Sequence, residues 1–238
     1  MVSSTAPRSS CWATYDTSMD RAPWTNRQLR SLGHAIRDGH DAAAHDPTYD
    51  EVVTYFNGLA LDAQYALDSL DWEPLLHGRI PEITSRPKTI DTLRQKLHRD
   101  PNTPLQNVQD IAGVRFEAEM SLDEQHGVAL AIAGLFSQQP ASAVHDIRST
   151  PHSGYRAVHI WLKLPSRLEV QVRTHLQGMW ANMYESAADT LGREIRYGNV
   201  PSDPRQRELV AQLQELSGSI ADIENERNIL DQRDRELA

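Results

Sequence analysis

Between Gly154 and Thr174 apolar and polar side chains alternate with a period of two. Val158, Ile160, Leu162, Leu164, Leu168, Val170 and Val172 fall on even positions, while Tyr155, His159, Lys163, Glu169, Gln171 and Arg173 fall on odd ones. Alternation of this kind sets one row against a core and the other on the open face of a sheet, so the stretch reads as two strands joined by a short loop. Facing strands must keep parity, and a three-residue loop Pro165-Ser166-Arg167 pairs Leu164 with Leu168, Lys163 with Glu169, Trp161 with Gln171 and His159 with Arg173. The polar face then gathers aromatic rings, an imidazole, a carboxylate, an amide and a guanidinium, more varied chemistry than a solvated face needs.

Helical spacing governs the flanks. Residues 25–43 and 48–70 read as helices, the second carrying Val52, Tyr55, Phe56, Leu59, Ala63, Ala66, Leu67 and Leu70 at three- and four-residue intervals. A strand around Arg79–Thr84 followed by a helix from about Lys88 to His98 would align Lys88, Thr92 and Lys96 on one stripe. Asp110 stands just before a short strand in which Val114, Phe116 and Ala118 face inward and Arg115 outward. Thr174 and Gln177 form a capping-box pattern for a helix with the buried stripe Leu176, Met179, Trp180, Met183, Ala187 and Leu191, ended by Gly192. Beyond Pro201 and Pro204, Leu209, Leu213, Leu216, Ile220, Ile223, Arg227 and Leu230 follow the four-three alternation of a coiled-coil seam with one polar interruption. Three heptads serve equally for packing on the parent domain or for a homo-oligomer.

Composition narrows the class. The 238 residues suit one domain with extensions, and the single cysteine, Cys11, excludes an internal disulfide or a cysteine-based zinc site, as expected of a cytoplasmic protein. No apolar run suggests a signal peptide or a membrane span, and residues 1–20 are expected to be disordered. A net charge of −9 argues against a nonspecific nucleic-acid coat. From Arg79 to Arg99, however, Arg79, Arg86, Lys88, Arg94, Lys96 and Arg99 face only Glu82 and Asp91, a local net of +4 fit to hold a triphosphate. The dipeptides His40-Asp41, His45-Asp46 and His145-Asp146 lack the convergent ligands of a metal site.

The residues GYRAVH at 154–159 followed by EVQVRT at 169–174 resemble the RelA/SpoT-type nucleotidyltransferase domain, and the likeness extends upstream. Arg86-Pro87-Lys88 with Thr92 and Lys96 resembles that family's ATP-binding segment, and Asp110-Ile111-Ala112-Gly113-Val114-Arg115 its metal-binding strand entrance. The motifs span roughly residues 79–185 in the family's order. The resemblance implies an α+β fold, a mixed β-sheet of nucleotidyltransferase type flanked by helices, with N-terminal helices inside a synthetase domain over 21–198 and a C-terminal amphipathic helix over 199–238. It implies transfer of pyrophosphate from ATP to a ribose 3′-hydroxyl. By resemblance Arg86, Lys88, Lys96 and Arg115 bind ATP, Thr92 adds a hydroxyl, and Asp110 and Glu169 hold Mg²⁺. Glu169 is metal ligand and orienter, with the role of general base also open to it. Tyr155 stacks on the acceptor base, Gly154 permits its close approach, His159 and Arg173 steady phosphates or ribose, and Gln171 buttresses the site.

Two departures bear on the acceptor. Where family members often show Glu-His after the tryptophan matching Trp180, this chain has Tyr184, Glu185 and Ser186; and the loop Ser149–Ser153 lacks the lysine common in guanosine-accepting members, offering Arg148, His152 and Arg156 instead. Two acceptors therefore stand side by side: GDP or GTP, giving (p)ppGpp alarmones, and the 3′-terminal adenosine of tRNA, as in the family's toxin-like branch, which would bring an antitoxin as partner. A nucleotide sensor without turnover has no need of both carboxylates. The space before Arg86 is also too short for the hydrolase domain of long family members.

Overall fold

The computed structural model describes residues 21–237, so the expectation of disorder over residues 1–20 lies outside the described residues. Helix α1 (Asn26–Asp38) is shorter than its pattern because Gly39 takes a left-handed conformation and ends it, and Ala42–Ala44 form a separate 3₁₀ turn. Helix α2 (Tyr49–Asp68), expected over 48–70 from its apolar spacing, starts at a Thr48–Glu51 capping box. A short α3 (Glu73–Leu76) leads to β1 (Glu82–Pro87), and α4 (Ile90–Arg99) follows the N-cap Thr89. After β2 (Ala112–Ala118) come α5 (Leu122–Leu135), α6 (Pro140–Ala143), β3 (Val144–Asp146), β4 (Val158–Lys163), β5 (Arg167–Thr174), α7 (His175–Leu191) and α8 (Pro204–Leu237).

The strands form one mixed sheet in the order β1-β2-β5-β4-β3, with β2 and β5 parallel and the other pairs antiparallel. This is the α+β architecture that the sequence implies. Val114, Phe116, Ile160, Leu162, Leu168, Val170 and Val172 are fully buried on one face, against α2 and α5. Each such side chain contributes roughly 1.5–3 kcal/mol by leaving water. The polar face stays open except where α7 lies over the ends of β2 and β5, close enough that Gly178 abuts the Glu117 side chain. The central strand is β5, and this decides what its polar residues can reach.

Three expectations need correction. The β4–β5 loop is Leu164-Pro165-Ser166, so Lys163 faces Arg167, Trp161 faces Glu169 and His159 faces Gln171. Parity, and with it the choice of face, is as expected; the partners move by two because Pro165 occupies the middle of the loop, where its missing N–H leaves no ladder bond unmade. Lys88 does not share the helical stripe of Thr92 and Lys96, since α4 begins only after Thr89 and the Lys88 N–H is bound to the Ile111 carbonyl at 3.0 Å. Arg79 likewise precedes its strand, donating to the Leu76 carbonyl and to Glu124.

Helix α7 has the expected Thr174–Gln177 capping box and ends at Gly192, but its buried side is Gln177, Gly178, Trp180, Ala181, Tyr184 and Ala188, leaving Leu176, Met179 and Met183 exposed. Helix α8 packs on its own domain: Val210, Ser217 and Glu224 are buried, Leu213 and Ile220 join a small core around Trp180 and Tyr184, and Leu209, Leu216, Ile223 and Leu230 face outward. Among the described residues no helix is long and apolar enough to cross a membrane.

Candidate active site

The parallel register of β2 and β5 sets Gly113 beside Glu169, Arg115 beside Gln171 and Glu117 beside Arg173; on the other flank β4 sets Trp161 beside Glu169 and His159 beside Gln171. Arg86 on β1 pairs with Gly113, and His145 on β3 pairs with His159. A cleft of about 490 Å³ opens over the β1–β2–β5 part of this face, lined by Arg86, Lys88, Thr92, Lys96, Asp110, Arg115, Tyr155, His159, Glu169, Gln171 and Arg173. All of these residues are expected from sequence, and they share one cavity.

Its basic side is organised by acids. Asp110 accepts from the ammonium groups of both Lys88 and Lys96. Burial alone would raise its carboxyl, but the two ammonium charges outweigh it and bring the pKa to about 2. Glu185, on α7, takes Arg86 at 2.7 Å and Arg115 at 3.6 Å, and these guanidinium groups hold its carboxyl low against the opposing effect of burial. The sequence marks Glu185 only as a departure from the Glu-His pattern. Arg99, Arg193, Arg196 and Tyr197 also line the cleft, with the Arg99 guanidinium 3.9 Å from the Tyr197 ring centre. No motif marks Arg193, Arg196 or Tyr197; the only signal is their position after the helix-ending Gly192.

Glu169 lies at the centre, 7% exposed. Its Oε1 accepts from Gln171 Nε2 at 2.7 Å and its Oε2 from Trp161 Nε1 at 3.2 Å, with His159 Nδ1 at 3.4 Å from the same oxygen. Burial pushes the carboxyl up; the contacts with His159 and Gln171 more than offset it, so the group is held below its ordinary value and is ionised at neutral pH.

The polar groups close into a ring. Arg173 donates to Gln171 Oε1 at 2.6 Å and to the Tyr155 hydroxyl at 2.9 Å, and that hydroxyl lies 3.0 Å from His159 Nε2. A Tyr155 hydroxyl that accepts from Arg173 can donate to Nε2, which assigns the His159 proton to Nδ1, facing Glu169. Tyr155 thus lines the cleft with its hydroxyl held in place. Its ring is half-buried, packed towards the Trp180 cluster, and its hydroxyl is tied by two neighbours.

Four expected acceptor residues, Gly154, Arg148, Arg156 and His152, are not among those lining the cleft. Arg148 is held by Asp146, the Leu122 carbonyl and Gln125. Arg156 donates to the Arg148 carbonyl and to Ser217 Oγ, and Ser217 donates in turn to the Gly154 carbonyl. His152 is exposed beside Gly198 and Pro201, in a separate hollow. Both arginines are occupied in fixing the loop that carries Gly154, whose φ of 89° and closeness to Trp180 suit glycine alone.

Among the described residues no three His, Cys, Asp or Glu side chains are grouped to hold a metal by themselves. Asp110 and Glu169 are both ionised carboxylates lining the one cleft, and oxygen groups of this kind are what a hard cation takes, together with phosphate and water oxygens.

Residues 85–189 match the family described as the region found in RelA / SpoT proteins. Uncharacterized proteins of Mycobacterium tuberculosis and Mycobacterium bovis are 46% identical over 206 residues, covering 85% of this chain and 72% of each relative. The small alarmone synthetase 1 from Bacillus subtilis superposes with a TM-score of 0.60 at 19% identity, covering 79% of this chain and 98% of that one. The same synthetase bound to its product pppGpp gives 0.57 at 19% identity over 80% and 98%. A GTP pyrophosphokinase family protein from Streptococcus pneumoniae gives 0.56 at 19% identity over 80% and 97%. At that identity the likeness establishes the fold, which is that of the small alarmone synthetases. Arg86, Lys88, Asp110, Tyr155 and Glu169 all fall inside the matched region and line one cleft, and with close to half of the aligned sequence shared with its relatives the chain belongs to the RelA/SpoT family.

Proposed function

We propose that the protein transfers the β,γ-pyrophosphate of ATP to the ribose 3′-hydroxyl of GDP or GTP, forming (p)ppGpp and AMP. The observation that carries this reading is an ionised Glu169 on the central strand, with a cleft on one side whose cations are already oriented by Asp110 and Glu185. A triphosphate entering that cleft offers Lys88 and Lys96 oxygens in place of Asp110, and offers Arg86 and Arg115 an alternative to Glu185. Phosphoryl-type transfer is governed by alignment and charge neutralisation, the work of fixed cations. The O3′–Pβ bond forms as the Pβ–O bond to the α-phosphate breaks; the 3′-hydroxyl proton passes to Glu169, and AMP carries away the bridging oxygen. His159 and Gln171 keep the Glu169 carboxylate oriented, and Arg173 holds Tyr155 and Gln171 in place. Asp110 and Glu169 would hold Mg²⁺, which would supply further neutralisation of the phosphate charge.

The pppGpp-bound Bacillus subtilis structure supports a guanosine acceptor by analogy of fold. The row Arg99, Arg193 and Arg196 along the cleft favours the second reading, a tRNA 3′ end whose additional phosphates would need such cations, with an antitoxin as that branch's partner. The test is to incubate protein, Mg²⁺ and γ-labelled ATP separately with GDP, GTP and deacylated tRNA. Label in ppGpp or pppGpp is expected. Label in tRNA alone establishes the second reading, and no transfer to any acceptor overturns both.

A further inference from the structure

We propose that Ser217, on helix α8 and not among the residues lining the cleft, is a positioning residue for the acceptor: it fixes the Gly154–Tyr155 peptide and through it the Tyr155 ring on the cleft wall. This rests on the transfer reaction above and names a support for it. Attacking and leaving oxygens stand roughly in line across the transferred phosphorus. The cations that would hold the donor lie on β1, β2 and α4 and at Lys88 between them, so the attacking hydroxyl arrives from the β4 side of Glu169, where the chain enters that strand through Tyr155. Tyr155 also belongs to the chain of polar contacts that reaches Glu169 through His159. Where Tyr155 stands therefore decides where an acceptor meets the carboxylate.

The backbone of Tyr155 is set from both sides of one peptide. Its N–H donates to the His152 carbonyl at 2.9 Å, and the Gly154 carbonyl across the same peptide accepts from Ser217 Oγ. Ser217 Oγ in turn accepts from Arg156 Nε at 3.2 Å, so a single hydroxyl ties the residues before and after Tyr155. One turn earlier on α8 the Leu213 carbonyl accepts from Trp180 Nε1 at 2.7 Å, and Trp180 is the wall against which Gly154 fits. Residue 217 runs against hydrophobic patterning. Helix α8 buries Val210, Ser217 and Glu224, seven residues apart, and leaves Leu209, Leu216, Ile223 and Leu230 outside. Burial of apolar area alone would turn the leucines inward, and a hydroxyl kept 3% exposed in their place is tolerated only when its hydrogen bonds are made. The bonds it makes go to Gly154 and Arg156. The donor's cations are held instead by Asp110 and Glu185, neither of them on α8.

Ser217→Ala removes the hydroxyl and suits a helix interior. Calorimetry with GDP and with deacylated tRNA, in the presence of a non-hydrolysable ATP analogue, reads the acceptor directly and does not require turnover. A lost hydrogen bond between neutral groups corresponds to roughly 2- to 12-fold, so Ser217→Ala should weaken whichever acceptor the wild type binds by that factor, while affinity for the ATP analogue changes less than about twofold. A serine that served stability alone would lower the melting temperature and spare the acceptor. A double-mutant cycle with Tyr155→Ala distinguishes action through the tyrosine from general loosening: in that background Ser217→Ala should change acceptor affinity less than about twofold, whereas independent effects would multiply. Acceptor affinity unchanged in Ser217→Ala, full multiplication in the double variant, or wild-type protein that binds neither acceptor overturns the inference. Wild-type protein that binds an acceptor, weakens as expected with Ser217→Ala and transfers nothing would leave the positioning role standing and sink the proposed reaction instead.

Discussion

The polar face of the sheet has two halves whose side chains are held by different physics. On β1, β2 and α4 nearly every functional side chain is charged and already paired: Lys88 and Lys96 with Asp110, Arg86 and Arg115 with Glu185. On β4 and β3 the residues are Trp161, His159 and His145, joined by ring contacts and hydrogen bonds. The first half is a set of cations held in position by acid partners, which in the proposed reaction would give way to a more highly charged anion. Glu169 belongs to both, since its carboxylate is oriented from β4 and β5 while it faces the cations of β2 and α4.

The sharpest break in that division is at its border. Glu169→Gln should lower transfer by at least ~10²-fold, as for a lost acid–base or charge-stabilising group, and leave ATP affinity within a few-fold; rapid-quench transfer assays with a separate ATP titration check both. Next, Lys88→Met or Lys96→Met should weaken ATP roughly 10- to 150-fold, the size of one lost charged hydrogen bond, with acceptor affinity unaltered. An equal loss for the acceptor would dissolve the distinction between the halves.

The Asp110 clamp also makes stability depend on pH. Its folded pKa is lowered to about 2, so the contribution is complete above the unfolded value near 3.9 and is lost as pH falls through 2. A shift of that size amounts to about 2.5 kcal/mol. Urea melts between pH 5 and pH 2 should show it in the wild type and largely lose it in Lys88→Met/Lys96→Met. The smallest effect is expected on the acceptor side: His152→Ala should change acceptor KM less than about threefold, and acceptor binding should depend only shallowly on salt. A steep slope would mean several phosphate contacts, as a tRNA requires.

Much of the face is legible in the order of residues alone. A period of two fixes which side chains share a surface, so spacing is enough to group Tyr155, His159, Glu169, Gln171 and Arg173. Register is another matter, because a shift of two preserves parity and only the position of Pro165 within its loop decides that Glu169 meets Trp161. The stripe of α7 misleads for a different reason. Hydropathy favours Leu176, Met179 and Met183, but burial there belongs to Gln177, which bonds Gln125 and Glu224, and to Gly178, which admits Glu117. Arg148 and Arg156 read as free cations; one partner, Asp146, is two residues away, while Ser217 is far along the chain. The segment Arg193–Tyr197 joins the cleft purely through tertiary placement.

Helix α8 adds no side chain to the cleft, yet it fastens two of its supports. Ser217 bonds the Gly154 carbonyl and Arg156, and Glu224 bonds the hydroxyl of the α7 N-cap Thr174 and the Gln177 amide. On the ribosome this becomes an ordering in time. The last residue to line the cleft is Tyr197, and the last of these fasteners is Glu224. At ~5–20 residues per second, roughly one to five seconds separate them. Through that interval the nascent chain holds every charge of the cleft while the α7 cap still lacks its tie, so the cleft's charged groups are made before the geometry that positions them is secured.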